Sequence, residues 1–193
     1  VLVSFLTENY SLAYVVSNFP QDTGALSWLY RVSGVWAGRQ GSLLLWTWLI
    51  SVFACAVAVR RMHVTDELSS CALGVMQVVI ALFTATMAFS EANNVFMPTA
   101  AQYLNADGTL VTGISGGMNP LLMHWAMVLH PPATFIGYAG CTVPFAYAMA
   151  ALITDDLSAR WVELCDRLAV FSFIFLTIGM ALGAVWAYVV LGW

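Results

Sequence analysis

The sequence predicts an all-α fold: a polytopic transmembrane helical bundle with four complete spans, part of a fifth, and a short interfacial helix in an outer loop. Three observations predict it. The 193 residues are 61% hydrophobic and 8% charged, whereas an ordinary soluble domain carries roughly 25% charged residues; there is too little polar material to cover a water-soluble globule. Uncharged apolar runs at residues 68–89, 132–153 and 168–191 each reach the ~20 residues a helix needs to cross a bilayer. Four of the six basic residues, Arg60, Arg61, Arg160 and Arg167, fall in the two shorter segments between the runs, the arrangement that orients membrane helices.

The elements follow in chain order. Residues 1–6 read as the tail of an earlier span. A run at 42–59 is a few residues short of the others, but Trp36 and Gly41 lead into it. The chain is read as one membrane domain, 1–193, with spans at about 42–59, 68–89, 132–153 and 168–191. It opens on Val1 in mid-run and closes on Trp193 directly after an apolar stretch, and is expected to be an internal piece of a longer chain. The segments 60–67 and 154–167 hold two arginines each, while 90–131 holds none. The positive-inside rule places the first two in the cytoplasm. Segments 7–41 and 90–131 then face outward, Arg31 and Arg39 notwithstanding. Gly179, Gly183 and Ala187 recur at four-residue spacing in the last span, a signal for close helix packing in lipid.

All six basic residues are arginine and the net charge is −4. No basic patch exists to bind nucleic acid, which is excluded as a partner; the lipid bilayer is the expected surroundings. The four cysteines form no CxxC pair, and they read as small buried hydrophobes. Paired catalytic carboxylates, a nucleophile elbow and a phosphate loop are lacking.

Two stretches could carry chemistry. In the first, Asn119 precedes Pro120, the pattern of a helix N-cap followed by proline at the first helical position. Leu121, Leu122, Trp125, Val128 and Leu129 then share a face, so a short amphipathic helix in the membrane interface is expected. It should break at His130, because a residue before proline is pushed out of the α region, and Pro131 and Pro132 should open the next span. His130 is then held at a stiff corner at the outer mouth of the membrane. Two readings stand: a structural interfacial histidine, or an axial ligand for an iron centre. His124 lies six residues earlier, which is about 240° around a helix, so the two do not form one metal site. His63 reads as solvated. The second stretch runs from Trp36 through Gly38, Gly41 and Ser42 to Trp46. Its glycines allow a tight turn, and Ser42 could cap the span that follows. Its tryptophans suit either an interfacial aromatic belt or a flat apolar surface for a planar ligand.

Four segments, in order, resemble the CcmF haem lyases of cytochrome c maturation and the related NrfE-type lyases. Tyr14-Val15-Val16-Ser17-Asn18 is similar to the family's YVASxSN. Trp36 to Trp46 is similar to WGxHEGSLLLW. Asn119 through His130-Pro131-Pro132 to Gly137-Tyr138 is similar to NPLLQDPGLxxHPPxLYxGY. Phe175 to Trp193 is similar to FLTxGIxLGxxWAYxxLGW. The sequence departs at Arg39-Gln40, where the family has His-Glu, and at Met123-His124-Trp125-Ala126, where it has Gln-Asp-Pro-Gly.

The resemblance implies a multi-pass protein of the bacterial inner (cytoplasmic) membrane or the mitochondrial inner membrane. It implies an enzyme, a cytochrome c haem lyase, that takes haem from a haem chaperone on the outer face and presents it to the CxxCH thiols of apocytochrome c, alongside other cytochrome c maturation membrane proteins. His130 maps onto an axial haem ligand, hence a contact to haem iron. Trp193 maps onto the edge of the Trp-rich haem motif WGGWWFWDP. Pro131, Pro132, Asn119, Pro120, Trp36, Gly38, Gly41 and Ser42 map onto supporting positions. No catalytic residue is assigned, because the nucleophiles belong to the substrate. Residues 1–193 alone are expected to be inactive. The competing readings are a haem-transporting or haem-binding membrane protein without ligation activity, and a transporter or channel subunit. The last predicts charged or titratable groups along a pathway within the spans, and the four complete runs hold no Asp, Glu, Lys, Arg or His.

Overall fold

The computed structural model describes residues 1–21, 24–61 (the side chain of Arg61 excepted), 66–111, 116–156 and 158–192. Among these the protein is helical, with two isolated β-bridges, Leu12 with Pro98 and Leu104 with Leu110. Three shorter helices come first: α1 (Leu2–Leu6), α2 (Ala13–Asn18) and α3 (Ser27–Ala37). Four long ones follow: α4 (Arg39–Arg61), α5 (Glu67–Phe89), α6 (Trp125–Ile153) and α7 (Arg160–Trp186). A π-helical turn, Ala187–Leu191, extends α7 and ends at Gly192. The four long helices are each long and apolar enough to cross a membrane, and the chain is a multi-pass membrane protein.

The chain divides into two compact units. One comprises Val1–Leu45, Thr86–Pro131 and Leu182–Trp193; the other comprises Trp46–Ala85 and Pro132–Ala181. The second unit holds the larger apolar core. Ile50, Ala54 and Val57 of α4, Leu68, Ala72 and Met76 of α5, and Ala139, Val143, Ala146 and Ala150 of α6 are buried in one cluster. Each set recurs every three or four residues, which puts it on one helical stripe. Within this unit α6 and α7 exchange knobs for gaps. Gly179 takes the backbone of Thr134, Gly137 takes Leu176, and Gly140 takes Ser172; a Cβ on Gly137 would stand 2.8 Å from the Leu176 nitrogen. Small residues allow this approach in lipid, where no hydrophobic force drives helices together. At the start of α5, Asp66 Oδ1 accepts from the Ser69 N–H at 2.6 Å, an N-cap. Oδ2 accepts from Ser69 Oγ at 3.0 Å. Ser69 Oγ lies 3.1 Å from the Tyr147 hydroxyl, and the Arg160 guanidinium reaches Asp66 at 3.6 Å.

The first unit is built around α3. Phe5 of α1 is fully buried and its ring lies over Gly34, where a Cβ would collide with it. Phe5, Tyr14, Val15 and Val95 form a small core. Its loops are tied by side chains reaching backbone carbonyls. Thr99 Oγ1 donates to Tyr10 at 2.6 Å, Gln21 to Gly116 at 2.6 Å, and Arg39 to Ala92 at 2.8 Å. Residues 105–109 form a tight turn: Asn105 Nδ2 donates to Thr109 Oγ1 at 2.9 Å and Gly108 takes φ 82.

Four local expectations are corrected. The chain does not break at His130, because α6 runs without interruption from Trp125 through His130, Pro131 and Pro132. The prolines withhold two N–H donors from the carbonyls one turn back. The helix nevertheless continues, with Ala126 and Val128 ahead of them and Ala133 after them all buried, so packing outweighs a local backbone bias. The separate amphipathic helix is correspondingly reduced to one 3₁₀ turn, Pro120–Leu122, and its expected second half is the start of α6. Ser42 is not the cap of α4, which begins at Arg39. The cysteines are not uniformly buried: Cys55 and Cys141 are exposed, and Cys165, expected in a loop, is a buried residue of α7.

Candidate functional site

The first unit collects most of the residues that the sequence singled out. Asn119 caps the Pro120 turn as expected, its Oδ1 accepting from the Leu121 N–H at 3.0 Å. His124 stands just ahead of α6. Its Nδ1 accepts from the Ala126 N–H at 3.3 Å, and its carbonyl accepts from Met127 at 2.9 Å. His124 is therefore a helix-capping residue, and one ring nitrogen is already occupied. His63 and Trp193 lie outside the described residues.

His130 sits in the second turn of α6, half-buried. Its ring is laid against Gly183 of α7. A Cβ built on Gly183 would stand 2.8 Å from the imidazole Cε1, 2.9 Å from Nδ1 and 3.4 Å from Nε2. The Cε1–Nδ1 edge thus faces α7, and Nε2 is the nitrogen farther from it. One turn along, the Trp186 indole N–H donates to the carbonyl of Leu121 at 2.9 Å, tying α7 to the segment that leads into α6. Sequence reasoning read Gly183 as a helix-packing residue only; its four-residue spacing to Gly179 was the visible signal, and its partner on α6 was not. Pro131 and Pro132 follow His130 inside the helix instead of ending it.

The Trp36–Ser42 stretch forms the corner between α3 and α4. Its centre is Tyr14 of α2, which the sequence marked only through a motif. The Tyr14 hydroxyl lies 3.1 Å from the carbonyls of Gly34 and Val35 and accepts from the Gly38 N–H at 3.0 Å. Burial pushes its pKa up to about 12, against the pull of the Gly38 and Gly41 backbone. A Cβ on Gly38 would stand 2.9 Å from the Tyr14 ring, and one on Gly41 would run into both the Val35 carbonyl and the Tyr14 hydroxyl. Ser42 Oγ donates to the Trp36 carbonyl at 2.9 Å. The Trp36 indole nitrogen is buried without a hydrogen-bond partner, beside a void of about 10 Å³ that Met118 and Met127 also line. These residues hold a corner, with the Trp36 indole N–H turned into the protein and the residue half-buried.

Among the described residues no cluster of three His, Cys, Asp or Glu could chelate a bare metal ion. A lone held imidazole suits instead an iron whose four equatorial nitrogens arrive with a porphyrin, which needs only axial donors from the protein. An imidazole is the type of donor that such an iron takes.

Fold and site together define a multi-pass helical membrane protein with an imidazole held at the second turn of a membrane helix. The family profile described as Cytochrome C assembly protein matches residues 36–193. Cytochrome c-type biogenesis protein CcmF of Haemophilus influenzae is 34% identical over 98% of this chain, which covers 27% of that protein. CcmF of Escherichia coli is 33% identical over 100% of this chain and 28% of its own length, and CycK of Rhizobium meliloti is 31% identical over 100% and 28%. No solved structure matches. The chain belongs to the cytochrome c assembly protein family, and it spans roughly a quarter of the length of these relatives.

Proposed function

We propose that the chain is part of a haem lyase of cytochrome c maturation, in a bacterial or mitochondrial inner membrane, with His130 as an axial ligand that holds haem on the outer face. The observation that carries the reading is the imidazole of His130, fixed on α6 and backed by Gly183, at the position where the resemblance sets the HPP ligand. Haem is the substrate. When bound it supplies two vinyl groups. Each CxxCH thiol of apocytochrome c adds across a vinyl double bond: a sulfur–carbon bond forms at one vinyl carbon, the thiol hydrogen goes to the other, and no electrons change hands. The contribution of this chain is orientation. His130 fixes the iron, and the Trp186 bond to Leu121 and the Tyr14 corner fix the elements around it, a proximity mechanism. Haem chaperone, apocytochrome c and further maturation proteins are the proposed partners. Trp193 is proposed as the edge of the haem-presenting Trp motif.

The test is His130→Ala in the protein expressed in its native membrane. Captured haem and cytochrome c maturation should be lost while abundance is retained, and added imidazole should restore part of both. His124→Ala, which removes a long capping bond and the ring contact with Trp125, should leave haem capture near the parent level. A silent His130→Ala with a crippling His124→Ala overturns the assignment.

A further inference from the structure

We propose that Gly183 is a positioning residue for the His130 imidazole: its missing side chain is the notch that sets how the ring presents Nε2. The proposal rests on the reading of His130 as haem ligand. A Cβ at this position would lie 2.8 Å from Cε1 and 2.9 Å from Nδ1, closer than side-chain carbons approach one another. Restoring ordinary contact requires the ring or α7 to move by roughly half an ångström, a displacement at which oriented chemistry loses about tenfold. The ring cannot be relieved by sliding α7 alone, because Trp186, three residues on, is hydrogen-bonded to the Leu121 carbonyl at 2.9 Å. Nor can α6 give freely, since Val128 and Ala126 on the same turns are buried. The ring itself must turn, and the nitrogen that it presents turns with it.

A general packing role for Gly183 makes a different prediction, and Gly179 supplies the control. Gly179 lies one turn earlier on the same helix and is met more tightly still: the Thr134 hydroxyl oxygen is the nearest atom to a Cβ built there, which would also stand 2.9 Å from the Thr134 nitrogen and 3.0 Å from its Cα. Gly179→Ala therefore forces the helices apart without touching the imidazole.

The experiment compares Gly183→Ala, Gly179→Ala and His130→Ala in the protein in its native membrane. It reads the amount, the visible spectrum and the reduction potential of captured haem. Gly183→Ala should reduce captured haem about tenfold and alter the spectrum and potential of what remains. Gly179→Ala should change abundance at most, with spectrum and potential as in the parent. Equal spectral changes in the two glycine variants, or none in Gly183→Ala, overturn the proposal. An unchanged spectrum in His130→Ala instead overturns the ligand reading, so the two failures are told apart. If Gly183→Ala does not accumulate, the His130→Gly background decides. Removing the ring removes the collision and should restore accumulation to the His130→Gly level, and no such rescue identifies Gly183 as a helix-packing residue alone.

Discussion

In the unit formed by residues 46–85 and 132–181, apolar side chains are buried in one cluster drawn from four helices, α4, α5, α6 and, through Cys165, α7, and a polar chain, Asp66–Ser69–Tyr147, adjoins it. In the unit formed by residues 1–45, 86–131 and 182–193, the buried cluster of Phe5, Tyr14, Val15 and Val95 is smaller, and side chains also hold distant backbone: Tyr14 on Gly34 and Val35, Thr99 on Tyr10, Arg39 on Ala92, Trp186 on Leu121. The difference separates two ways of fixing geometry. Burial tolerates small shifts, because apolar contact is non-directional. Hydrogen bonds to backbone at around 3 Å do not, because they weaken steeply with angle and distance. The unit with the candidate haem ligand is held the second way, which suits a task that depends on orientation. Substitutions in it should accordingly damage geometry more than their buried area suggests.

The largest expected effect is Gly41→Ala. The added methyl would meet a backbone carbonyl, Val35, and a hydroxyl already committed to backbone, Tyr14. Neither is the free end of a flexible side chain, so the corner between α3 and α4 must open. A loss of about 3 kcal/mol is expected, the upper end of overpacking costs, read as a lowered Tm of the detergent-solubilised protein. A Tm unchanged from the parent would show that the first unit is as compliant as the second.

Tyr14→Phe comes next. It deletes the hydroxyl and leaves the Gly38 N–H without its 3.0 Å acceptor, for about 1–3 kcal/mol. It also carries a pH signature. Burial, the dominant cause, raises the folded phenol to about 12, while an unfolded tyrosine titrates near pH 10. Above about pH 10 the unfolded chain releases a proton that the folded chain keeps, so stability present below that pH is lost as pH climbs toward about 12. The loss is on the order of 2 kcal/mol, and Tyr14→Phe should remove that part of the alkaline destabilisation. An identical alkaline slope in both proteins would show that the hydroxyl is not buried as described.

These two residues also mark where sequence reading stops. The four membrane helices were legible because composition and run length alone identify an apolar span, and the Asn119 cap was legible because its bond partner is two residues away. The Tyr14 hydroxyl meets partners 20 to 24 residues distant, and Gly183 meets His130 from another helix. No local pattern encodes such a pairing; four-residue glycine spacing says that something approaches closely, not what. The proline rule failed at His130 for the converse reason. It describes an isolated backbone, and here the turns around Pro131 and Pro132 are held by packing, with Val128 and Ala133 buried.

The smallest effect belongs to the second unit and tests the other half of the comparison. Tyr147 is nearly fully buried and its ring is part of the apolar cluster, so Tyr147→Phe keeps the packing and deletes only the hydroxyl. Ser69 Oγ retains Asp66 Oδ2 at 3.0 Å as acceptor and is not orphaned. The cost should stay below about 1 kcal/mol. Ser69→Ala should cost more, about 1–3 kcal/mol, because it leaves the Tyr147 hydroxyl buried without its 3.1 Å partner and removes the Ser69 Oγ contact to Asp66 Oδ2 at the head of α5. Thermal unfolding of both variants in the same detergent checks the order. If Tyr147→Phe proved as damaging as Tyr14→Phe, the polar chain would be as geometry-setting as the Tyr14 corner, and the distinction between a unit held by burial and a unit held by directed bonds would fail at its most buried point.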